Sequence, residues 1–473
     1  MTDPEQASTI DCYTCKRRRI RCDRTQPKCQ KCGKKGLSCP GYGLRLRWVG
    51  GKDFRRPTRD AGAIQDSTTL ALPALSATNA QLHVDGDWMR TSVLRFLSKD
   101  AMNKLVEYYA EHVAGLMVWI DSKDNSYRRY IVPLAYSNPV IGLAMAAISA
   151  QHASTFFGDT SLPQKARDEA VGMISMYIRD ITKYVMSGHD LGRKLDVKST
   201  EWMLAAMLML SCYEMTHSGG MVVDFHRRAA RSLVNTFETT ECERSLLFAF
   251  LRNQLSLHDV FACTMSFEAS NMHEVIVPDP KDESTLFSTY LAYLHDVTLL
   301  SRKLNLSPAR QANMGLTFCH VRSQFEVARG ETLMTTGRLS LSPGPRRRDF
   351  TRLVDTYHQA ALLYASRCLE FDIQAQREGI LSALFDQFSA MEDMPAWVHN
   401  LAWPLFIAGL ESHDNPERQE TVARLYRETA KKMGFKNFED ALGFMRTFWA
   451  GDDADWRALA REWEVEGRPV LPA

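Results

Sequence analysis

The chain has 473 residues, of which 45% are hydrophobic and 24% charged, and its formal net charge is +2. This composition is typical of a soluble globular protein, and the length predicts more than one domain. The longest nearly apolar runs, 139–150 and 202–212, are too short to span a bilayer, so we expect no membrane partner. The polar N-terminus lacks a secretory apolar stretch, which predicts an intracellular protein.

The charge is distributed unevenly along the chain. Residues 1–60 carry 16 Lys and Arg against 6 Asp and Glu, whereas residues 61–473 carry 42 against 50. A small basic region ahead of a mildly acidic remainder predicts a polyanionic partner for the basic region alone.

Six cysteines form an internal repeat, because the pattern C-x2-C-x6-C recurs 17 residues later: Cys12, Cys15, Cys22, Cys29, Cys32 and Cys39. Tetrahedral zinc takes four ligands, so two separate four-thiolate sites would need eight cysteines. Two ions can share six cysteines if two thiolates bridge, and the symmetric candidates are Cys12 and Cys29. A disulfide framework and a thiol store are the alternatives. Disulfides suit secreted chains, and the spacing favours zinc.

The cysteine spacing, the basic run between Cys15 and Cys22, and Pro27 in the connecting loop resemble the fungal zinc binuclear cluster transcription factors. The resemblance implies two Zn²⁺ ions as cofactors. It implies that one ion is bound by Cys12, Cys15, Cys22 and Cys29, and the other by Cys12, Cys29, Cys32 and Cys39.

Five of the six residues between Cys15 and Cys22 are cations. Metal ligands on both sides would present them on a short helix, which we assign to the major groove of double-stranded DNA. An arginine fork can donate two bonds to guanine, and the resemblance implies that Arg18 and Arg19 read a CGG triplet. The remaining cations are predicted to contact phosphates: Lys16, Arg17, Arg21, Arg24, Lys28, Lys34 and Lys35.

The sequence predicts four parts. They are a disordered tail at 1–9, a zinc-cluster DNA-binding domain at 10–48 (the head), a flexible linker at 49–90 and a large all-α helical regulatory domain at 91–473 (the body). The linker assignment rests on small, polar residues with Pro and Gly interruptions. A sustained heptad pattern is missing after the head, which favours a monomer or a dimer formed through the body.

The body shows helical periodicity nearly throughout, and the fold is therefore predicted to be mainly α. We expect Ser98 to cap a first helix, Asn138 and Pro139 to open a second, and Ser199-Thr200 to open a third. Further amphipathic stretches are predicted at roughly 224–237, 242–265, 283–304, 308–333, 348–372, 395–412, 416–434 and 438–463.

Two segments of the body carry a second resemblance. DSKDNSYRRYIVPLA (121–135) and WPLFIAGLE (403–411) resemble the fungus-specific helical regulatory domain of the second type. That type occurs in regulators of nitrogen and amino-acid metabolism and in acriflavine-sensitivity and cutinase-type factors. The body is expected to transmit a metabolic or stress signal or to bind a partner, and transcriptional co-regulators are the candidate partners.

Other chemically conspicuous residues have ordinary structural interpretations. His112, His152 and His258 lie on apolar helix faces and are predicted to be core or boundary residues. RRRDF (346–350) is predicted to be a solvated loop. The acidic segment 452–466 is interpreted as a terminal amphipathic helix, with an activation segment as the alternative.

The dinucleotide-binding, P-loop, nucleophile-elbow and zinc-protease signatures are all missing from the sequence, which argues against an enzyme. The sequence predicts a nuclear, zinc-dependent, sequence-specific DNA-binding transcription factor that regulates RNA polymerase II. One alternative is an enzyme that uses the head for targeting, and the other is an interaction scaffold. The missing catalytic signatures and the basic N-terminal region disfavour them.

Overall fold

The computed structural model describes residues 14–15, 18, 20–25, 29–37, 39, 97–153, 161–187, 196–216, 220–237, 245–278, 286–302, 317–335, 341 and 343–472. The chain divides into two compact units, Met1–Val49 and Gly50–Ala473. The predicted tail at 1–9 and the predicted linker at 49–90 lie outside the described residues.

The regular elements in the described ranges are all helical, apart from an isolated bridge at Thr25, which confirms the predicted mainly α fold. The first unit contains α1 (Gln30–Gly33). The first helices of the second unit are α2 (Lys99–Tyr108), α3 (Val132–Ser137), α4 (Pro139–His152), α5 (Leu162–Met186), α6 (Val197–Met215), α7 (Gly220–Phe237), α8 (Leu246–Thr264) and α9 (Ala269–His273). The later helices are α10 (Ser288–Ser301), α11 (Phe318–Thr335), α12 (Pro345–Cys368), α13 (Gln374–Ala390), α14 (Met394–Trp397), α15 (Ala402–Leu410), α16 (Pro416–Met433), α17 (Asn437–Ala450) and α18 (Trp456–Val465).

Short irregular turns join some of these helices. They are π-helical at Tyr109–Val113 and Tyr127–Ile131, and 3₁₀ at Ala114–Met117 and Val398–Leu401. Within the described ranges, each helix taken singly falls short of the length and apolar composition of a membrane span, although the bent pair Tyr127–Ser137 and Pro139–His152 meets those two criteria together.

Local capping residues fix where the helices begin. Ser98 Oγ accepts the Ala101 N–H at 3.2 Å, and Asn138 Oδ1 accepts the Val140 N–H at 3.0 Å, as expected from the sequence. The third expected cap is wrong by one helical turn. Asp196 caps α6, because its Oδ1 accepts the N–H of Ser199 at 2.8 Å.

The centre of the body forms around α15, in which every residue is buried. Trp403 is fully buried, and its indole N–H donates to Thr264 Oγ1 at 3.3 Å. The Tyr364 hydroxyl donates to the Thr264 carbonyl at 3.2 Å, and Tyr357 stacks on Trp403 with centroids 6.0 Å apart. Buried aromatic rings with satisfied polar atoms therefore join α8, α12 and α15.

The segment 121–135 closes a loop onto the end of α2. Arg128 holds the Asp121 carboxylate with two bonds of 2.5 and 3.0 Å and donates to the Ala110 carbonyl at 2.7 Å. Asn125 donates to the Ala114 carbonyl and to Asp121, both at 2.9 Å. The loop is thus fixed by charge-assisted bonds rather than by apolar packing alone.

A second charged cluster is fully inside the body. The Asp259 carboxylate, 0% exposed, pairs with Arg227 at 2.5 Å and with Arg231 at 2.8 Å, and it accepts the Ile276 N–H at 2.9 Å. Such a pair tolerates burial only when its remaining hydrogen bonds are satisfied. The cluster consequently fixes α7 against α8 at a defined register.

Three expectations for single segments have clear outcomes. RRRDF is not a loop, because Pro345 starts α12 and these residues form its first turns. His112 is exposed, so its prediction as a core or boundary residue is wrong. His152 and His258 are partly buried, as predicted for boundary residues. Segment 452–466 contains α18, whose Trp456 is 1% exposed, so the terminal-helix interpretation is confirmed.

Two glycines in helices of the body give a matched test of packing. A Cβ on Gly142 would lie 2.8 Å from the Ala135 carbonyl oxygen, whereas a Cβ on Gly172 would meet nothing within 4 Å. We expect Gly142→Ala to lower the free energy of unfolding by about 1–3 kcal/mol through overpacking against backbone. Gly172→Ala should raise it by about 0.5–1 kcal/mol, because alanine is the better helix former. Urea denaturation of the full chain measures both, and equal effects would contradict the packing argument.

Candidate metal centre and nucleic-acid interface

Five of the six predicted ligands lie in one buried cluster: Cys15, Cys22, Cys29, Cys32 and Cys39. Among the described residues, no disulfide bond joins any of these five cysteines to another. Cys15 Sγ lies 3.6 Å from Cys29 Sγ and 3.9 Å from Cys32 Sγ. Sulfurs on one tetrahedral zinc at a Zn–S distance of about 2.3 Å stand about 3.8 Å apart, so the 3.6 Å separation of the Cys15 and Cys29 sulfurs fits two ligands of one ion.

Cys29 occupies the middle of the cluster. Its sulfur groups with those of Cys15 and Cys32, and also with Cys22 Sγ and an Asp23 oxygen, all ligand atoms of each group within 4.8 Å of one another. Burial raises the pKa of the Cys29 thiol to about 12. A cation in contact with the sulfur reverses that tendency, because a coordinating thiol is deprotonated. The donor set therefore suits a soft divalent ion. Cys12 lies outside the described residues.

The repeat in the sequence is also a repeat in the backbone. The Ile20 N–H donates to the Cys15 carbonyl at 3.1 Å, and the Leu37 N–H donates to the Cys32 carbonyl at 3.0 Å. These two pairs are related by the 17-residue period. Ile20 and Leu37 are also almost equally exposed, at 37% and 39%. The two halves of the head thus share this hydrogen bond and the exposure of the apolar residue that donates it.

The two halves differ in the charges that they present to solvent. Arg18 is exposed on the turn after Cys15, where its N–H donates to the Thr14 carbonyl at 3.2 Å. The other predicted contact residues within the described ranges are also exposed: Arg21, Arg24, Lys34 and Lys35. The rest of the predicted DNA contacts lie outside the described residues: Lys16, Arg17, Arg19 and Lys28.

Asp23 is a structural residue that the sequence analysis missed. Its carboxylate accepts the N–H of Gln30 at 3.1 Å and of Lys31 at 2.6 Å, at the start of α1. The Thr25 hydroxyl also donates to it, and this bond is the main reason why the pKa of Asp23 is lowered to about 2. In return, Lys31 Nζ donates to the Arg21 carbonyl at 2.7 Å. These bonds tie the first half of the head to the second.

The comparisons with known proteins agree with this geometry. Residues 104–466 match the family described as "Fungal specific transcription factor domain", and residues 11–48 match the "Fungal Zn(2)-Cys(6) binuclear cluster domain". The chain belongs to the fungal zinc-cluster transcription factors. The family resemblance drawn from the sequence is confirmed, including the two Zn²⁺ ions as cofactors. Membership of this family places the chain among transcription factors, which are not enzymes.

Three curated relatives are similar over short stretches. Acriflavine sensitivity control protein acr-2 of Neurospora crassa is 50% identical over 43 residues, 9% of this chain and 7% of the relative. The phomenoic acid biosynthesis cluster-specific transcriptional regulator of Leptosphaeria maculans is 36% identical over 84 residues, 16% of each chain. Arginine metabolism regulation protein II of Saccharomyces cerevisiae is 49% identical over 37 residues, 8% of this chain and 4% of the relative.

The aligned residues thus span no more than 16% of the length of these three relatives. Alignments this short say nothing about the activity of the whole chain. No solved structure matches this zinc-cluster protein.

Substitution of Asp23 tests whether its bonds hold the two halves of the head together. Asp23→Ala removes both carboxylate oxygens that accept N–H groups at the start of α1, and Asp23→Asn keeps one oxygen. We expect zinc to pass to a colorimetric chelator fastest from the alanine variant, at an intermediate rate from the asparagine variant and slowest from the wild type. Release from Asp23→Ala at the wild-type rate would contradict this role.

Proposed function

We propose that this protein is a zinc-dependent, sequence-specific DNA-binding regulator of transcription by RNA polymerase II. It acts in the nucleus and reads a CGG-type site through the first half of its head. The main support for the proposal is the position of Arg18. This exposed residue lies on a turn that follows Cys15, a member of the buried cysteine cluster. A turn anchored by metal ligands presents its cations in a fixed arrangement, which direct base reading requires.

The metal ligands are assigned as the repeat suggests. Cys12, Cys15, Cys22 and Cys29 hold one zinc ion, and Cys12, Cys29, Cys32 and Cys39 hold the other, with Cys12 and Cys29 as bridges. Cys29 belongs to two groups of neighbouring ligand atoms, one with Cys15 and Cys32 and the other with Cys22 and Asp23, and this supports its bridging role. Cys15 also approaches Cys32, a proposed ligand of the other ion, at 3.9 Å, as a compact two-metal cluster allows.

The cations divide into two tasks. Arg18 and Arg19 read bases, because an arginine fork matches guanine O6 and N7. Phosphates are contacted by Lys16, Arg17, Arg21, Arg24, Lys28, Lys34 and Lys35. Since the second half of the head bears only lysines on the turn that matches Arg18, it positions the protein on the backbone without reading sequence.

The proposed domain limits are a tail at 1–9, the head at 10–48, a linker at 49–90 and the regulatory body at 91–473. The body transmits a regulatory signal and binds transcriptional co-regulators. The protein binds DNA as a monomer, or as a dimer formed through the body. Selection of bound sequences from random duplex DNA by the full chain distinguishes the two, because a single CGG motif indicates a monomer and a doubled triplet at fixed spacing indicates a dimer.

Zinc removal should separate the two units of the protein. A head of about 30 residues has little apolar core, whereas zinc contributes on the order of 10–16 kcal/mol in finger peptides. We expect EDTA to abolish binding to a CGG duplex while the far-ultraviolet helical signal of the body remains, and added Zn²⁺ to restore binding. Unchanged DNA binding by a chelated, metal-free sample would refute zinc dependence.

Arginine substitutions test the proposed base contacts. Arg18→Ala or Arg19→Ala should cost about 1–3 kcal/mol of affinity for the selected duplex and leave binding to a scrambled duplex nearly unchanged. Lys35→Ala is the matched control, because loss of a phosphate contact weakens both duplexes equally. Fluorescence anisotropy titration at fixed salt gives the affinities. Equal losses on both duplexes for Arg18→Ala would place that residue on phosphate instead.

A further inference from the structure

Two neighbouring cavities lie in the helical body, lined by residues of α8, α12 and α16 among others, and are called here the inner and the outer chamber. The inner chamber is about 120 Å³ and the outer chamber about 580 Å³. Leu116, Trp119 and His399 line both, so these residues form the boundary at which the chambers meet. The described residues that line the two chambers all belong to the second unit.

The inner chamber is apolar and carries no charge. Its wall includes Leu257, Phe261, Tyr357 and Phe438, and none of its lining residues is Asp, Glu, Lys or Arg. Burial lowers the pKa of His258, which also lines it, to about 4, so its imidazole is neutral at pH 7. An apolar cavity of about 150 Å³ accommodates a benzene molecule, so this chamber is of the order of one ring.

The outer chamber contains a half-buried ammonium group. Lys432 Nζ donates to the carbonyl oxygens of Pro395 and Ala396, the latter at 3.2 Å, and to His399 Nδ1 at 3.2 Å. Burial and the neighbouring Lys432 charge lower the pKa of His399 to about 3, so this imidazole is neutral. Burial also lowers the pKa of Lys432 itself, since its charge is poorly solvated.

A second cation lines the same chamber. Arg346 Nη2 donates to the Asp121 carbonyl oxygen at 2.5 Å. Among the described residues, neither Arg346 nor Lys432 has a carboxylate within ion-pair distance. The three carboxylates that line the chamber have closer partners: Asp121 is held by Arg128, Asp393 accepts the Ala396 N–H at 3.2 Å, and Glu111 Oε2 lies 3.8 Å from His112 Nε2. At longer range, the charge of Asp393 acts on Lys432 and that of Asp121 on Arg346.

We propose that the two chambers form one binding site for a small aromatic carboxylate. Its ring enters the inner chamber, and its carboxylate lies in the outer chamber against Lys432 and Arg346. Two observations select this class of ligand. The neutral, apolar inner wall favours an uncharged ring. The half-buried Lys432 and the exposed Arg346 on the outer wall can both gain an ion-pair partner, since no described carboxylate lies within ion-pair distance of either.

The test uses the full-length, zinc-loaded chain and a series of defined probes. Benzoate, phenylacetate, 3-phenylpropanoate and 4-phenylbutanoate vary the distance between ring and carboxylate, and the matching primary amides remove the charge. We expect isothermal titration calorimetry to show one binding event, with the best acid about tenfold tighter than its amide, as a charge-assisted bond provides. Equal affinity of acids and amides, or no binding of any acid at millimolar concentration, would overturn the proposal.

Neighbouring lysines supply a matched pair of variants for the cation. Lys432→Met should reduce the affinity for the best acid to that for its amide. Lys431→Met, at the exposed adjacent position on α16, should leave the tenfold difference intact. Loss of the difference in both variants would indicate a general electrostatic effect and would refute a contact with Lys432.

Filling the inner chamber tests the position of the ring. Leu257→Trp should abolish binding of both acid and amide, whereas Leu246→Trp, at a position 70% exposed on the same helix, should not. Val118→Phe fills the chamber from another segment and serves if Leu257→Trp fails to fold, which circular dichroism reports. Undiminished binding by a folded variant with a filled chamber would place the ligand elsewhere and refute the proposal.

Discussion

Coordination of zinc by buried thiolates is the constraint on which the head depends. Its described buried side chains are almost all sulfur, and a unit of this size cannot fold by apolar burial alone. The bonds of Asp23 and Lys31 connect the two halves but provide no core of their own. The metal therefore has to be bound before the turn of Arg18 has a defined orientation, so the DNA recognition proposed for that turn depends on metal binding.

The body depends on a different kind of interaction. Fully buried aromatic side chains surround α15, and the hydroxyl and carbonyl of Thr264 satisfy Trp403 and Tyr364. The ion pairs of Asp259 with Arg227 and Arg231 fix the position of α7 along α8, although burying these charges has an unfavourable desolvation energy. Because apolar burial rather than metal supplies its stability, the body responds to packing changes, and the head responds to chelation.

The features that were predicted correctly from the sequence are those that depend on residues close together in the chain. The cysteine repeat and the caps at Ser98 and Asn138 depend on spacing within a few residues, and the structure agrees with them. Helices α5 and α13 were not predicted, and α13 buries only Leu381, Leu384 and Phe388 among polar residues, so its apolar pattern is weak. The role of Asp23 was also missed, because its partners on α1 become neighbours only when the metal ligands converge.

The two adjacent lysines of α16 show that the burial of a side chain cannot be predicted from its residue type and helix position alone. Lys431 and Lys432 are alike in composition and helix position, yet Lys431 is exposed and Lys432 lies half-buried on the chamber wall. A partly buried ammonium without a carboxylate partner is unfavourable, and a fold usually replaces or pairs such a group. Here the nearest polar groups are carbonyl oxygens and the neutral imidazole of His399, which solvate the charge without neutralising it. Charged groups that the fold leaves without an ion-pair partner are concentrated at functional sites, because a bound ligand there can supply the opposite charge.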